Sequence, residues 1–248
     1  MSSVSEIMLN VWDATNKFLG MGIKSVTAAA AGSGSTYVFT RPVGTLDTDY
    51  VIIGTYRENQ VDPTLPSGFT SIAVQNYNTT PAIQVRVIGG LAGSAGSWTV
   101  TWAGAAWRNG WGMVIRGFDS STPIEVVGAW LTDVTNGTAI TAPGITTLTP
   151  YAVVLGCYFV RSGGVTWTPP SGFTEYLEEA HAYPTTKEFA SAGATGDQIA
   201  TVNLSGVRAA LLLSIKPASG GGGLAHKVAS RRRKRLVPIM QRIRAMRS

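Results

Sequence analysis

The sequence predicts an all-β protein: an antiparallel two-sheet, jelly-roll-like sandwich with two pseudo-repeat halves, plus a basic C-terminal tail or short helix. Three observations predict it. Apolar residues alternate with polar ones at period two. Turn-forming residues break the chain at short intervals. A pentapeptide recurs at long range within a matching order of flanking segments. Composition agrees, since only 14% of the 248 residues are charged while 29 are glycine and 44% are hydrophobic. That mixture suits strands and tight turns, and supplies a core large enough to fold without staples.

The strands follow from the pattern. Trp98, Val100 and Trp102 alternate with Thr99 and Thr101, and Ile83, Val85 and Val87 alternate with Gln84 and Arg86. Period two gives one buried face and one wet face. Tyr50–Ile53, Tyr151–Val160 and Val207–Ile215 are near-continuous apolar runs, the signature of strands covered on both faces. Over Arg208–Leu213 a helix competes, but the β-branched ends and Pro217 favour a strand. Asn109-Gly110 and Asn136-Gly137 predict hairpin turns, because both residues tolerate positive φ. Pro66-Ser67-Gly68, Pro123, Pro143-Gly144 and Pro169–Gly172 mark further corners.

Pro66-Ser67-Gly68-Phe69-Thr70 returns as Pro170-Ser171-Gly172-Phe173-Thr174. Each copy follows an apolar strand opened by tyrosine and precedes polar strands and an apolar closing strand, Trp111–Phe118 or Val207–Ile215. The predicted halves are roughly 45–120 and 146–217, each a layer with one greasy face that the other must cover. The expected organisation is an N-terminal segment 1–44 with one or two extra strands (Tyr37–Thr40 among them), a sandwich 45–217, a glycine-rich linker 218–223 and a basic amphipathic tail 224–248. Sheet edges left open by such a fold predict a homo-oligomer.

Net charge is +6, unevenly spread. Residues 224–248 hold nine basic residues and no acidic one, which leaves eleven basic against fourteen acidic residues, −3, for the rest. Gly220–Gly223 separates the two. In the tail, Leu236, Ile239, Met240 and Ile243 form one apolar stripe at helical spacing, flanked by Arg235, Arg242 and Arg244. With Arg231, Arg232, Arg233 and Lys234 they form the expected partner-binding set. A protein groove explains stripe and charge together. Nucleic acid uses only the charge, and an anionic membrane is the remaining alternative.

Candidate chemistry is sparse. His181 is the lone histidine before the tail, and no Gly-x-Ser-x-Gly elbow accompanies it, so a solvated loop histidine is expected rather than a triad. Asp47/Asp49 and Glu178/Glu179 are the paired carboxylates to weigh for glycosidase or calcium chemistry, and solvated turn positions are the expectation for the first pair. The glycine-rich stretches lack the Gly-Lys-Ser/Thr ending of a phosphate loop. Trp167 could stack on a glycan, although a plug at the sandwich end is favoured. Cys157, the single cysteine, reads as buried core. No catalytic residue, cofactor or metal site is expected. With Glu6 and Asp13 and no long apolar run, residues 1–20 do not read as a secretory signal, and no stretch is long enough for a membrane span; the expectation is synthesis in a cytoplasm.

The succession Asp49–Ile53, Pro66–Thr70, Trp111–Asp119 with Pro123-Ile124, then Ala142–Thr147, Tyr151–Val160 and Trp167–Thr174 resembles β-sandwich domains of tailed-phage virion proteins. The resemblance covers about residues 45–217 and rests on turn and core residues. It implies a structural role in a virion (capsid decoration, head fibre or tail component), other virion proteins as partners, and no catalytic residues. The alternative is a carbohydrate-binding or host-adhesion module.

Overall fold

The computed structural model describes residues 21–219. The described chain is all-β and builds two main antiparallel sheets. The first contains β1 (Gly22–Thr40), β2 (Tyr50–Arg57), β3 (Phe69–Tyr77), β4 (Ile83–Leu91) and β5 (Ser97–Arg116), in the order β1-β5-β2-β4-β3. The second contains β6 (Ile124–Val127), β7 (Leu131–Ala142), β9 (Ala152–Arg161), β10 (Trp167–Thr168), β11 (Thr174–Glu175), β12 (Ala182–Phe189) and β14 (Gln198–Ile215). Its path is β10-β14-β9-β12-β11, with β6 and β7 on the other side of β14. β8 (Thr146–Thr147) and β13 (Gly193–Ala194) pair separately.

The two sheets share one connectivity. β7-β14-β9-β12-β11 repeats β1-β5-β2-β4-β3 strand for strand. The repeated pentapeptide forms the same turn twice: Phe69 N donates to Pro66 O and Phe173 N to Pro170 O, each at 3.0 Å, with Gly68 and Gly172 at φ 79° and 76°. Both glycines sit where a side chain would be strained. The isolated bridge Thr64–Thr101 matches Thr168–Thr201. The jelly-roll expectation needs correction. A jelly roll carries the chain back and forth between its sheets, whereas here the first sheet is complete at Arg116 before the second begins at Ile124.

Three apolar layers hold the body together. Between the sheets, Ile52, Tyr56, Trp111, Met113 and Ile115 face Leu155, Cys157, Phe159, Leu211 and Leu213. On the outer side of the first sheet, Tyr37, Phe39, Trp98, Val100 and Trp102 pack over Val51 and Ile53. On the outer side of the second, Trp167, Val202 and Ile140 pack over Val154, Tyr158 and Leu212. β2 is therefore buried along its whole length, and β9 up to Arg161. The register breaks of β1 at Ala29/Gly32 and Gly34/Thr36 let the ends of β1 and β5 curl over their own sheet.

Both Asn-Gly hairpin expectations are overturned. Asn109 and Gly110 lie inside β5, and Asn136 and Gly137 inside β7. Gly110 is glycine because a Cβ there would strike the Gly54 carbonyl of β2, whereas a Cβ at Gly137 would meet only the movable end of the Arg208 side chain. Within the segment 1–44, expected to supply one or two extra strands, the described residues supply β1, a full member of the first sheet.

Candidate functional site

A gathering of chemistry-bearing side chains from both halves lies at one end of the seam between the sheets. Tyr56 is near the end of β2, with Glu58 just beyond it. Trp107 and Asn109 come from β5, Arg161 ends β9, and Glu179 and His181 precede β12. Asn109 links the halves: its Nδ2 donates to Glu179 Oε2 at 2.8 Å, and its Oδ1 accepts from His181 N at 3.3 Å. Tyr56 Oη donates to Glu58 Oε1 at 3.3 Å, and Glu58 pairs with Arg161 at 3.8 Å.

His181 is not the solvated loop residue expected. It is buried, and its ring stacks on Tyr56 at 4.6 Å and meets the Trp107 ring edge-on at 6.4 Å. Nδ1 lies 2.9 Å from Val160 O. A carbonyl only accepts, so Nδ1 carries the proton and Nε2 keeps its lone pair. Burial pulls the imidazole pKa below its ordinary 6.5, partly offset by the Val160 carbonyl and the Glu58 charge. This is a neutral, packed imidazole able to accept one hydrogen bond. Burial raises the pKa of the Tyr56 phenol beside it, assisted by Glu58. Trp107 is the exception to this enclosure, with 42% of its surface exposed. A shallow apolar cleft lined by Tyr56, Tyr77, Phe159 and Arg161 adjoins the cluster.

Other predicted sites resolve differently. Asp49 is not a solvated turn residue: it is 1% exposed and receives Arg116 Nε and Nη2, each at 2.7 Å, together with Leu46 N at 2.7 Å. Asp47 pairs with Arg41 at 2.7 Å. Both members of the supposed carboxylate pair are thus held by arginine. Glu178 is exposed, apart from the bond that engages Glu179. Trp167 is buried, stacks on Tyr183 at 4.8 Å, and donates Nε1–H to Glu179 O at 2.8 Å; it plugs the outer core and presents no open face to a sugar. Cys157 is a buried free thiol whose pKa burial raises. The tail set, Arg231–Leu236, Ile239, Met240 and Arg242–Arg244, lies outside the described residues, as does the linker from Gly220 on.

Sequence reasoning also missed a matched arginine pair. The registers Tyr50–Ile115 and Val153–Ile215 make Arg108 and Arg208 equivalent. Each lies over a glycine of the outer strand, Gly34 or Gly137, and donates to its carbonyls: Arg108 to Thr36 O and Gly32 O (2.6 and 2.8 Å), Arg208 to Ala139 O (2.9 Å). Arg208 also pairs with Asp133, while Arg108 lies over the Tyr37 ring and stands in register with Arg57. Aligning the closing strands by hydrophobic phase would have exposed this match.

Among the described residues no group of three or more His, Cys, Asp or Glu is placed to hold a metal ion, and no helix is long and apolar enough to cross a membrane. No protein-family profile, no curated protein and no solved structure matches the chain.

Proposed function

We propose that the chain is a non-enzymatic structural component of a phage-type particle, a capsid decoration, head-fibre or tail part. In this reading the sandwich body packs or faces outward, and residues 224–248 anchor it to other virion proteins. The observation that carries it is the charge split: nine basic and no acidic residues beyond Gly220–Gly223, against −3 for the rest. An apolar stripe flanked by arginines fits a groove on a neighbouring protein better than it fits nucleic acid or a lipid surface. The body supports this reading, since Asn109 and the Glu58–Arg161 pair join its two halves into one unit. The test is truncation after Gly220 and measurement of incorporation into particles. Loss of incorporation is expected, and unchanged incorporation would refute the anchor.

The half-exposed Trp107 favours a second reading, a glycan-contacting module. An indole face can stack on a sugar while Glu58, Glu179 and Arg161 nearby offer acceptors and donors for hydroxyls. On a glycan array this reading requires binding that Trp107→Ala abolishes and that Trp167→Phe spares.

A further inference from the structure

Strand pairing sets three equivalent positions side by side in each half. In the second half the row is Val160 on β9, Arg208 on β14 and Asp133 on β7. Arg208 and Asp133 form an ion pair, so the row is neutral. In the first half the same row reads Arg57 on β2, Arg108 on β5 and Gly32 on β1. It carries two guanidiniums and no carboxylate. At Gly32, where Asp133 stands in the second half, a Cβ would meet nothing within 4 Å. Among the described residues neither Arg57 nor Arg108 has an ion pair.

The frame does not require this charge, since valine serves at the same position of the repeat. Like charges directly opposite each other on paired strands are destabilising, and a buried guanidinium without a counter-charge is more so. Arg57 is 1% exposed. Gly104 O accepts from its Nη2 at 2.7 Å, while Nε and Nη1 are buried without a hydrogen-bond partner. Burial lowers the Arg57 pKa, and the Arg108 charge lowers it further. Arg108 spends Nε and Nη1 on Thr36 O and Gly32 O, and keeps Nη2 for another acceptor. The two guanidiniums lie over neighbouring rings: Arg57 over Trp102 at 4.8 Å and Arg108 over Tyr37 at 5.3 Å, with the rings 6.5 Å apart. Glu179 is engaged by Asn109, which points to the opposite face of β5. The cover over Arg57 is thin. Pairing of β5 to β1 skips Trp102–Ala105, and Ala103, Gly104 and Ala105 are exposed. The second half carries the bulkier Asn203-Leu204-Ser205 at these positions.

We propose that Arg57 and Arg108 bind a dianionic tetrahedral oxyanion, a phosphate group, beneath the Trp102–Ala105 bulge. Charge sets the class. The single Arg208 takes the single carboxylate of Asp133, and two guanidiniums call for two negative charges. The unpartnered N–H groups of Arg57 and Nη2 of Arg108 supply the donors, and such charge-assisted bonds to phosphate oxygens are strong. The ion enters as the bulge swings aside and releases Arg57 Nη2 from Gly104 O. Gly104, at φ 82°, gives the bulge the backbone freedom for that movement. The site stands apart from the seam and from residues 224–248, so it goes beyond the particle role.

The test is urea denaturation of the full chain and of Arg57→Val, which installs the residue of the second half. Inorganic phosphate is titrated against chloride at constant ionic strength. The wild-type unfolding constant should fall in proportion to 1 + [phosphate]/Kd, about 11-fold at ten times Kd. Arg57→Val should fold and lose this response. Residues 224–248 keep their charge in both chains, so phosphate bound there moves both alike. A wild-type response no larger than that of Arg57→Val overturns the inference. Amide hydrogen exchange of wild type decides the matter should Arg57→Val fail to fold. Phosphate should slow exchange across 31–36 and 101–106, and protection confined to other segments overturns the site. An alkyl phosphate monoester then identifies the source: a matching response means a phosphate carried on a larger molecule, and no response means the free ion.

Discussion

Breaking the Asp49–Arg116 pair is the most direct check on how the first half is held. Asp49 is 1% exposed and Arg116 8%, their contact is bidentate, and Arg116 Nη2 also donates to Gly44 O at 2.8 Å. The pair ties the β1–β2 loop to the last residue of β5. Asp49→Asn keeps the shape and removes the charge, which leaves a guanidinium in a site closed to water. Stranding one partner of a buried pair costs about 3–5 kcal/mol. Total stability for a domain is only about 5–15 kcal/mol. With a urea slope of about 2–3 kcal/mol/M, the unfolding midpoint should fall by roughly 1–2.5 M. Arg116→Met alone should cost a similar amount, because the Asp49 carboxylate is then stranded. The double variant Asp49→Asn/Arg116→Met should be more stable than the sum of the singles by about 2 kcal/mol, within the range of direct couplings. Singles that each cost under about 1 kcal/mol, or strictly additive effects, would refute the assignment of this pair as the clamp of the loop.

Further outcomes follow from the same contacts. His181 has a folded pKa below its ordinary 6.5, so unfolding takes up a proton: its contribution is complete above pH 6.5 and is lost as pH falls through the folded value. Urea midpoints of wild type should drop over that interval, and His181→Gln should flatten the dependence. Cys157, buried and with its pKa raised, should resist iodoacetamide in the native protein and react fully in denaturant, as read by intact mass. Trp167→Ala removes the outer-core plug of the second half and should cost about 3–5 kcal/mol by urea denaturation. Arg57 is buried with Nε and Nη1 unpartnered, anchored by Gly104 O at 2.7 Å and by the Trp102 ring at 4.8 Å. Arg57→Met should therefore leave stability within about 1 kcal/mol of wild type or raise it, and a loss of 3 kcal/mol would show that the guanidinium has a partner in solution.

The long apolar runs were legible because burial on both faces erases the period-two signal. Tyr50–Ile53 and Val207–Ile215 each sit between the shared core and an outer core. The repeat was legible because its turn demands glycine at positive φ in both copies. Asn109-Gly110 misled because a local rule met a tertiary demand: the asparagine bridges two halves and the glycine makes room for β2. Asp49 misled for a different reason. A turn-forming aspartate and a buried one look alike until the partner is known, and Arg116 is 67 residues away. The seam cluster was illegible as a unit, because its residues come from four segments that only strand pairing brings together.

The divergence of the halves is informative because their connectivity is the same. Each half buries its own outer face, yet the face between the sheets is apolar on both sides, so neither half is complete alone. With the frame held in common, the differences are free to serve other ends. The second half ends in a two-residue edge guarded by glutamates and balances Arg208 with Asp133. The first half leaves β3 long and uncharged and presents Trp107 at the seam. In a duplicated fold, selection for stability alone would trim both copies alike, because an exposed edge and a half-exposed indole carry the same cost in either. The long uncharged edge strand and the half-exposed indole at the seam are features of the first half alone, on a frame that both halves share.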